Sequence, residues 1–364
     1  MRLHLVNGFL GSGKTTAIIG AARRYVQQGK TVAIVTNDKG RYQVDAAFFQ
    51  TAKIPTAQVA GGCFRCSFDE FKEQIAHLSH AAHPDILFAE SVGSCVDLVN
   101  TVFPPLQSLP DLQIDASTFT VFTDIRLFRR WLYGEPMPFS DSIVYTFGKQ
   151  IDETQMLVLN KIDLLPLDVC HSVFEEARRR FPEKRVVLQN SLLVQEELSW
   201  FAYLNESDQA PTHSNFQVDY TQYMDAEKKM AWYDQVFTIQ PGGTGNIRQG
   251  VVGVIANLLQ ALHSQMTPVA HLKFLISDSR EMIKLSFTVM DLMPGNLKED
   301  WWNQVPQNLS DPTKMIINAR VEMKSHLFKD MVDQAVQHAS ISEGVKIIPL
   351  GGSLYHPEVL PSTR

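Results

Sequence analysis

Residues 8–16, Gly-Phe-Leu-Gly-Ser-Gly-Lys-Thr-Thr, meet the pattern G-x4-G-K-[S/T], with Gly8, Gly13, Lys14 and Thr15 at the required places. Glycines let the backbone curl so that successive N–H groups point inward at a polyphosphate. A helix that follows such a loop turns its positive end toward the same anion. Gly8, Gly11, Ser12, Gly13, Lys14, Thr15 and Thr16 are therefore expected to cradle a nucleotide's phosphates. Lys14 is expected to reach the β- and γ-phosphates, and the Thr15 hydroxyl to ligate Mg²⁺. The plainer alternative, a glycine-rich turn that only packs, fits less well, because an apolar strand precedes the loop and a helical pattern follows it.

A second constellation lies far downstream, where the apolar run Leu157-Val-Leu ends in Asn160-Lys161-Ile162-Asp163. The Asp163 carboxylate can accept two hydrogen bonds, from N1–H and the exocyclic amine of guanine; adenine offers no such pair. A site built around that acceptor leaves it unpaired with the wrong base, which makes discrimination strong. Lys161 is expected to lie along the base plane, Asn160 to tie this loop to the phosphate loop, and Ser191 to offer a backbone N–H to guanine O6. Alone, the four residues could equally be a strand followed by a helix-capping aspartate.

The third set is acidic and thiol-bearing. Residues 85–93, Asp-Ile-Leu-Phe-Ala-Glu-Ser-Val-Gly, form an apolar strand with Glu90 at its end and Gly93 just beyond. Glu90 is expected near Mg²⁺ or an attacking water, and the Gly93 N–H near the γ-phosphate. Asp38 and Asp45 sit in a polar loop after the second strand; Asp38 is the stronger candidate for metal or water positioning, and Asp45 reads equally well as a surface turn residue. Cys63 and Cys66 are spaced C-x-x-C, half of a tetrahedral zinc-type site, with Cys95 or Asp38 as the candidate third ligand. Arg65 between them puts a cation where it would both favour thiolates and repel a divalent ion. Arg41 and Arg65 are also weak candidates for an internal arginine finger, and Cys170 reads as a packing residue. His77, His80 and His83 do not share one ligand-spaced helical face and read as solvated.

The elements that must position these residues are legible as pattern. Apolar runs at 3–7, 31–37, 85–90, 119–124, 156–160 and 185–188 alternate with amphipathic segments at 15–28, 68–82, 141–153 and 168–180. Near-continuous apolar strands alternating with helices imply an α/β fold, a mostly parallel sheet covered on both faces, with its ligand beyond the carboxyl ends of the strands. The pattern breaks after about residue 201, giving an expected nucleotide-binding domain at 1–204, a linker at 205–231 and a smaller α+β domain at 232–364. In that second domain the expected order is strand 232–240, helix 246–264, strands 271–277, 282–289 and 314–322, and helix 324–338, suggesting a ferredoxin-like layer.

Composition agrees with a soluble, intracellular globular protein. The 364 residues are 45% hydrophobic and 20% charged with a net charge of −6, which argues against non-specific nucleic-acid or membrane binding. The first residues run straight into the phosphate motif without a signal-peptide pattern, and four cysteines are too few for a disulfide scaffold. The expected location is therefore cytoplasmic, with reduced thiols.

Together the loop at 8–16, the segment 37–45, the Glu-Ser-Val-Gly at 90–93 and the Asn-Lys-Ile-Asp at 160–163 resemble the CobW-type P-loop GTPases, relatives of the urease and hydrogenase maturation GTPases. The resemblance implies Glu at the second acidic motif, which Glu90 matches, and a CxCC motif, of which Cys63 and Cys66 match the first and last cysteines while Arg65 replaces the middle one. It further implies a slow GTPase using GTP and Mg²⁺, with Zn²⁺ or Co²⁺ as the metal carried to a client metalloenzyme or cofactor-dependent protein; a homodimer is compatible with it. Two other readings stay open: a nucleotide-dependent chaperone or activation switch that carries no metal, and a P-loop small-molecule kinase.

Overall fold

The computed structural model describes residues 1–37, 54–59, 62–107, 114–193, 199–206, 216–243, 245–298 and 300–355. They form two compact units, the first ending at Tyr223 and the second beginning at Met224.

In the first unit the strands are β1 (Arg2–Asn7), β2 (Val32–Asn37), β3 (Thr56–Val59), β4 (Ile86–Glu90), β5 (Ala116–Asp124), β6 (Met156–Asn160) and β7 (Arg185–Gln189). They make one seven-stranded sheet in the order β3-β2-β4-β1-β5-β6-β7. Every pairing in it is parallel. All five residues of β4 and of β6 are buried, as expected for strands covered on both faces. The main helices are α1 (Lys14–Gln27), α2 (Phe68–Ala82), α3 (Ile125–Leu132), α4 (Asp141–Glu153), α5 (Leu167–Arg180), α6 (Ser199–Glu206) and α7 (Tyr220–Lys229). Ile18, Ala21, Ala22 and Tyr25 of α1 pack with Ile34 of β2, Phe88 of β4 and Trp200 of α6 in a continuous core.

The α/β, mostly parallel architecture is thus the one expected. Several elements fell outside the sequence pattern, among them β3, α3, α6 and α7. β3 is a four-residue edge strand with a single buried position, too short to show a period. The stretch 205–231 holds α7 and the first residues of the next strand, and α7 itself crosses the boundary between the two units.

The second unit carries β8 (Met230–Pro241), α8 (Ile247–Ser264), β9 (Val269–Ser277), β10 (Met282–Phe287), β11 (Thr313–Glu322), α9 (Ser325–Ser342) and β12 (Val345–Tyr355). Its sheet runs β10-β9-β11-β8-β12, antiparallel throughout. Setting β10 aside, the β-α-β-β-α-β order and the β12-β8-β11-β9 arrangement are ferredoxin-like, with β10 added at one edge. Alternate residues Met315, Ile317, Ala319 and Val321 of β11 and Leu272, Phe274 and Ile276 of β9 face the stripe Val251, Val254, Ile255, Leu258 and Leu262 of α8. Asn246 caps α8, its side chain accepting from the N–H groups of Arg248 and Gln249. Trp301 belongs to this core, and its neighbour Trp302 is exposed. β12 was not among the expected elements; it contains Pro349, Gly351 and Gly352, and its register with β8 shifts between Pro349 and Gly351.

Candidate functional site

Parallel pairing aligns the carboxyl ends of the strands, so the loops that leave them collect along one edge of the sheet. Val6 pairs with Glu90 and with Thr120, and Thr36 pairs with Glu90. Asp124 pairs with Asn160, which in turn pairs with Gln189. β1 lies between β4 and β5, so the loop at residues 8–15 leaves the middle of that edge.

In this loop Gly8, Gly11 and Gly13 have φ of 133°, 76° and 92°, values that favour glycine. A Cβ on Gly8 would stand 2.0 Å from the Phe122 carbonyl oxygen, and one on Gly13 2.4 Å from Asn160 Nδ2. The loop therefore presses against β5 and the β6 loop with no room for a side chain. Ser12 N–H donates to the Phe9 carbonyl (3.2 Å), and Lys14 Nζ donates to the Gly8 carbonyl (2.7 Å). Thr15, in the first turn of α1, donates its hydroxyl to Glu90 Oε1 at 2.8 Å, with both residues buried. Thr16 is half-buried in the same turn. Gly93 backs onto the loop as well: a Cβ there would meet Leu10 N at 2.9 Å.

Asn160 is the hub between the two distant motifs. Its Nδ2 donates to the Ser12 carbonyl (2.8 Å), while its Oδ1 accepts from Ser191 N–H (3.1 Å) and the Ser191 hydroxyl (2.9 Å). Three expected residues from three loops are joined by one amide. Lys161 takes a left-handed conformation (φ 66°) and forms an ion pair with Asp124 at 3.1 Å. Asp163 follows in a 3-10 turn and is exposed, its carboxylate accessible. Cys170 is buried beneath this turn, its thiol donating to the Ile162 carbonyl at 3.5 Å, which makes it a packing residue as expected.

The sequence reading missed several residues that hold these loops. Asp124, at the end of β5, caps α3 by accepting from Arg126 N–H and also receives Arg126 Nε and Nη2 at 3.0 and 2.7 Å. Burial alone would raise the Asp124 pKa, but Lys161 and Arg126 outweigh it and hold it at about 2. The signal was visible: Asp124, like Glu90, is a lone acid at the carboxyl end of an apolar strand. Asn7, at the end of β1, accepts from the Ser91 hydroxyl (2.6 Å) and donates to the Cys95 carbonyl (3.1 Å). Gln150 Nε2 donates to the carbonyls of Gly93 (3.0 Å) and Cys95 (2.9 Å). Glu153 accepts from the N–H groups of Asp97 and Val99 at 2.9 and 2.7 Å. Burial pushes Glu153 up to about 8, against those N–H bonds and with help from Asp97. Ser142, Thr146, Gln150 and Glu153 are buried polar residues of α4 spaced by three or four, a stripe an amphipathic reading passes over.

The thiols are distributed differently from expectation. Cys63 and Cys66 share one turn before α2, with sulfurs 3.0 Å apart. Cys95 is buried behind Gly93, its carbonyl held by Asn7 and Gln150. Among the described residues no three His, Cys, Asp or Glu side chains stand close enough together to hold a metal ion, so Cys95 does not complete a set with Cys63 and Cys66. Cys95 lies in the loop after β4, where its backbone carbonyl is held by Asn7 of β1 and Gln150 of α4. Asp38, Asp45 and Arg41 lie outside the described residues. His77, His80 and His83 are exposed on or just after α2.

Arg65 points to two tyrosines, its guanidinium 4.7 Å from the Tyr220 ring centre and 5.7 Å from that of Tyr223. Burial works against its charge, yet Cys63, Tyr223, Tyr220 and Cys66 raise its pKa above the ordinary value. The Tyr220 hydroxyl donates to Asp97, four residues past Gly93. No helix among the described residues is long and apolar enough to cross a membrane.

Comparison with solved structures finds similarity to the hydrogenase maturation factor HypB from Archaeoglobus fulgidus, at 14% identity over 56% of this chain and 89% of that one, with a TM-score of 0.38. HypB from Helicobacter pylori, solved in complex with nickel, matches at 18% identity over 59% and 91%, with a TM-score of 0.39. The Zn(II)-bound YjiA GTPase from E. coli matches at 11% identity over 92% and 98%, with a TM-score of 0.33. The sequence profile described as the CobW/HypB/UreG nucleotide-binding domain matches residues 2–189, which take in the phosphate loop, Glu90 and the Asn160–Asp163 turn. With more than half of its length matched, the chain belongs to the CobW/HypB/UreG family.

Proposed function

We propose that the first unit binds GTP with Mg²⁺ and hydrolyses it, and that the cycle drives delivery or insertion of a metal or metallocofactor into a client protein. The observation that carries the nucleotide reading is the Asn160 hub, which fastens the loop expected to hold phosphates to the turn expected to read the base. Phosphates fit the loop because Gly8, Gly11 and Gly13 all hold positive φ, the backbone conformation that lets successive N–H groups turn toward an anion.

In this reading the N–H groups of residues 11–15 bind the phosphates, and Lys14 exchanges its donation to the Gly8 carbonyl for the β- and γ-oxygens. Mg²⁺, when bound, neutralises phosphate charge; Thr15 and Glu90, already joined at 2.8 Å, are the described residues that would hold it, with Asp38 as a further candidate. Glu90 orients the attacking water and the Gly93 N–H meets the γ-phosphate. Asp163 pairs with the guanine edge, Lys161 flanks the base, and Ser191 contributes its backbone N–H. A metalloprotein client, with Zn²⁺ or Co²⁺ as candidate cargo, is part of this proposal, and family membership supports it. The cytoplasm is the proposed location.

The test is a nucleotide titration with Asp163→Asn. The native protein is expected to prefer GTP to ATP, and the variant to lose GTP while gaining xanthosine triphosphate, whose 2-oxo group accepts the Asn amide. Equal binding of ATP and GTP by the native protein would overturn the reading in favour of a kinase or a general NTPase. Lys14→Ala should abolish phosphate release.

A second reading, a nucleotide switch that carries no metal, is favoured by Arg65 between the two cysteines and by the separation of Cys95 from them. Metal stoichiometry of the GTP-loaded protein decides between the two.

A further inference from the structure

The turn at Cys63–Cys66 is built more closely than two ligands of one ion require. The two sulfurs stand 3.0 Å apart, and Cys66 N–H donates to Cys63 Sγ at 3.4 Å. Two thiolates on one tetrahedral zinc, each about 2.3 Å from the metal, stand ~3.8 Å apart. At 3.0 Å the two thiols are in direct hydrogen-bond contact, closer than two ligands of one zinc.

The turn is held in that shape from several sides. Ser67 N–H donates to the Cys63 carbonyl at 2.8 Å, and Asn37 Nδ2 donates to the Gly62 carbonyl at 2.6 Å. Gly62 packs closely against the turn: a Cβ there would meet Ser67 Oγ at 2.4 Å and Cys66 Cβ at 3.2 Å. Phe64 is fully buried and stacks on Phe71 at 3.9 Å, which pins the turn to α2. Arg65 is drawn toward Tyr220 and Tyr223. The two thiols differ in access: Cys66 is exposed and Cys63 is 2% exposed.

We propose that Cys63 and Cys66 form a redox-active dithiol that a low-molecular-weight disulfide converts reversibly into a disulfide within the turn. The accessible Cys66 sulfur attacks one sulfur of the small disulfide RSSR; its proton leaves with the expelled RS⁻ as RSH, and a mixed disulfide forms at Cys66. Cys63 then attacks the Cys66 sulfur, forming the S–S bond and releasing the second RSH with the Cys63 proton. Two electrons pass from the protein to RSSR, and excess thiol reverses both steps. The chemistry does not rest on the nucleotide reading, and GTP binding measured on the same samples separates the two.

The test equilibrates the full chain, with chelator present, in buffers of rising oxidised-to-reduced glutathione ratio, followed by alkylation and peptide mass spectrometry. The expected result is the loss of two of the four alkylatable thiols, recovered as a Cys63–Cys66 disulfide peptide and restored by excess thiol. Cys63→Ser should trap a glutathione adduct on Cys66, and Cys66→Ser should leave Cys63 unreacted at the same ratios. Four alkylatable thiols at every ratio, or a persistent glutathione adduct on Cys66 in the native protein, would overturn the proposal. An adduct on Cys63 in Cys66→Ser, formed as fast as native oxidation, would overturn the assigned order.

Discussion

Asn160→Ala should damage stability and nucleotide binding together, because one buried amide joins three loops. The side chain is 1% exposed and makes hydrogen bonds to the Ser12 carbonyl, the Ser191 N–H and the Ser191 hydroxyl. The hydroxyl keeps Gln189 Nε2 at 3.1 Å, so the Ser12 carbonyl and the Ser191 N–H are the groups left without this partner. Each such loss costs about 1–2 kcal/mol once the stranded group is counted, giving ~2–4 kcal/mol in total. For a unit of this size that is about 4–16 °C in the midpoint of thermal unfolding. Asn160→Asp is the informative companion: it keeps an acceptor for Ser191 but sets a carboxylate against the Ser12 carbonyl, so the phosphate loop should suffer while the β7 end holds. The assay pairs calorimetry with titration of a fluorescent guanosine diphosphate. Native-like midpoint and affinity in Asn160→Ala would refute the claim that this amide fastens the two motifs.

Three further outcomes follow from the same geometry. Gly13→Ala, whose Cβ would meet Asn160 Nδ2 at 2.4 Å in a left-handed backbone, should weaken nucleotide binding at least tenfold and lower the unfolding midpoint, by ~2 kcal/mol or more from strain and displacement; Gly29→Ala, with no atom near its Cβ, is the control for the backbone term alone. Asp124 has a folded pKa of about 2 against an ordinary 3.8, so its ion pairs contribute about 2 kcal/mol that is present above pH 4 and lost as pH falls through the folded value. Asp124→Asn should remove that acid dependence in denaturant midpoints, and should cost ~3–5 kcal/mol at neutral pH by leaving Arg126 and Lys161 without their shared carboxylate. Glu153, raised from 4.5 to about 8, has the opposite sign: its share of stability is complete below the unfolded value and declines as pH rises toward 8, so Glu153→Gln should flatten the fall in denaturant midpoint between pH 5 and 8.

The sequence by itself determined the parallel core and the chemistry of its edge. Residues 156–159, Met-Leu-Val-Leu, are apolar without interruption, as in a strand covered on both faces. Gly8, Gly13 and Lys14 declare a phosphate loop through conformational freedom and charge, both properties of residue type. What needed the fold was every relation between residues distant in the chain. Asp124 meets Lys161 because parallel pairing sets Asp124 beside Asn160, and no local pattern encodes that register. Gln150 and Glu153 look like solvent-facing residues until α4 turns their stripe toward backbone groups of the loop after β4. The same holds for the thiols, in opposite senses. Spacing brings Cys63 and Cys66 into one turn, while the separate path of the loop after β4 keeps Cys95 out of their company. Local periodicity follows from side-chain type and spacing along the chain; which buried polar groups find one another follows from strand order, and only tertiary packing sets that.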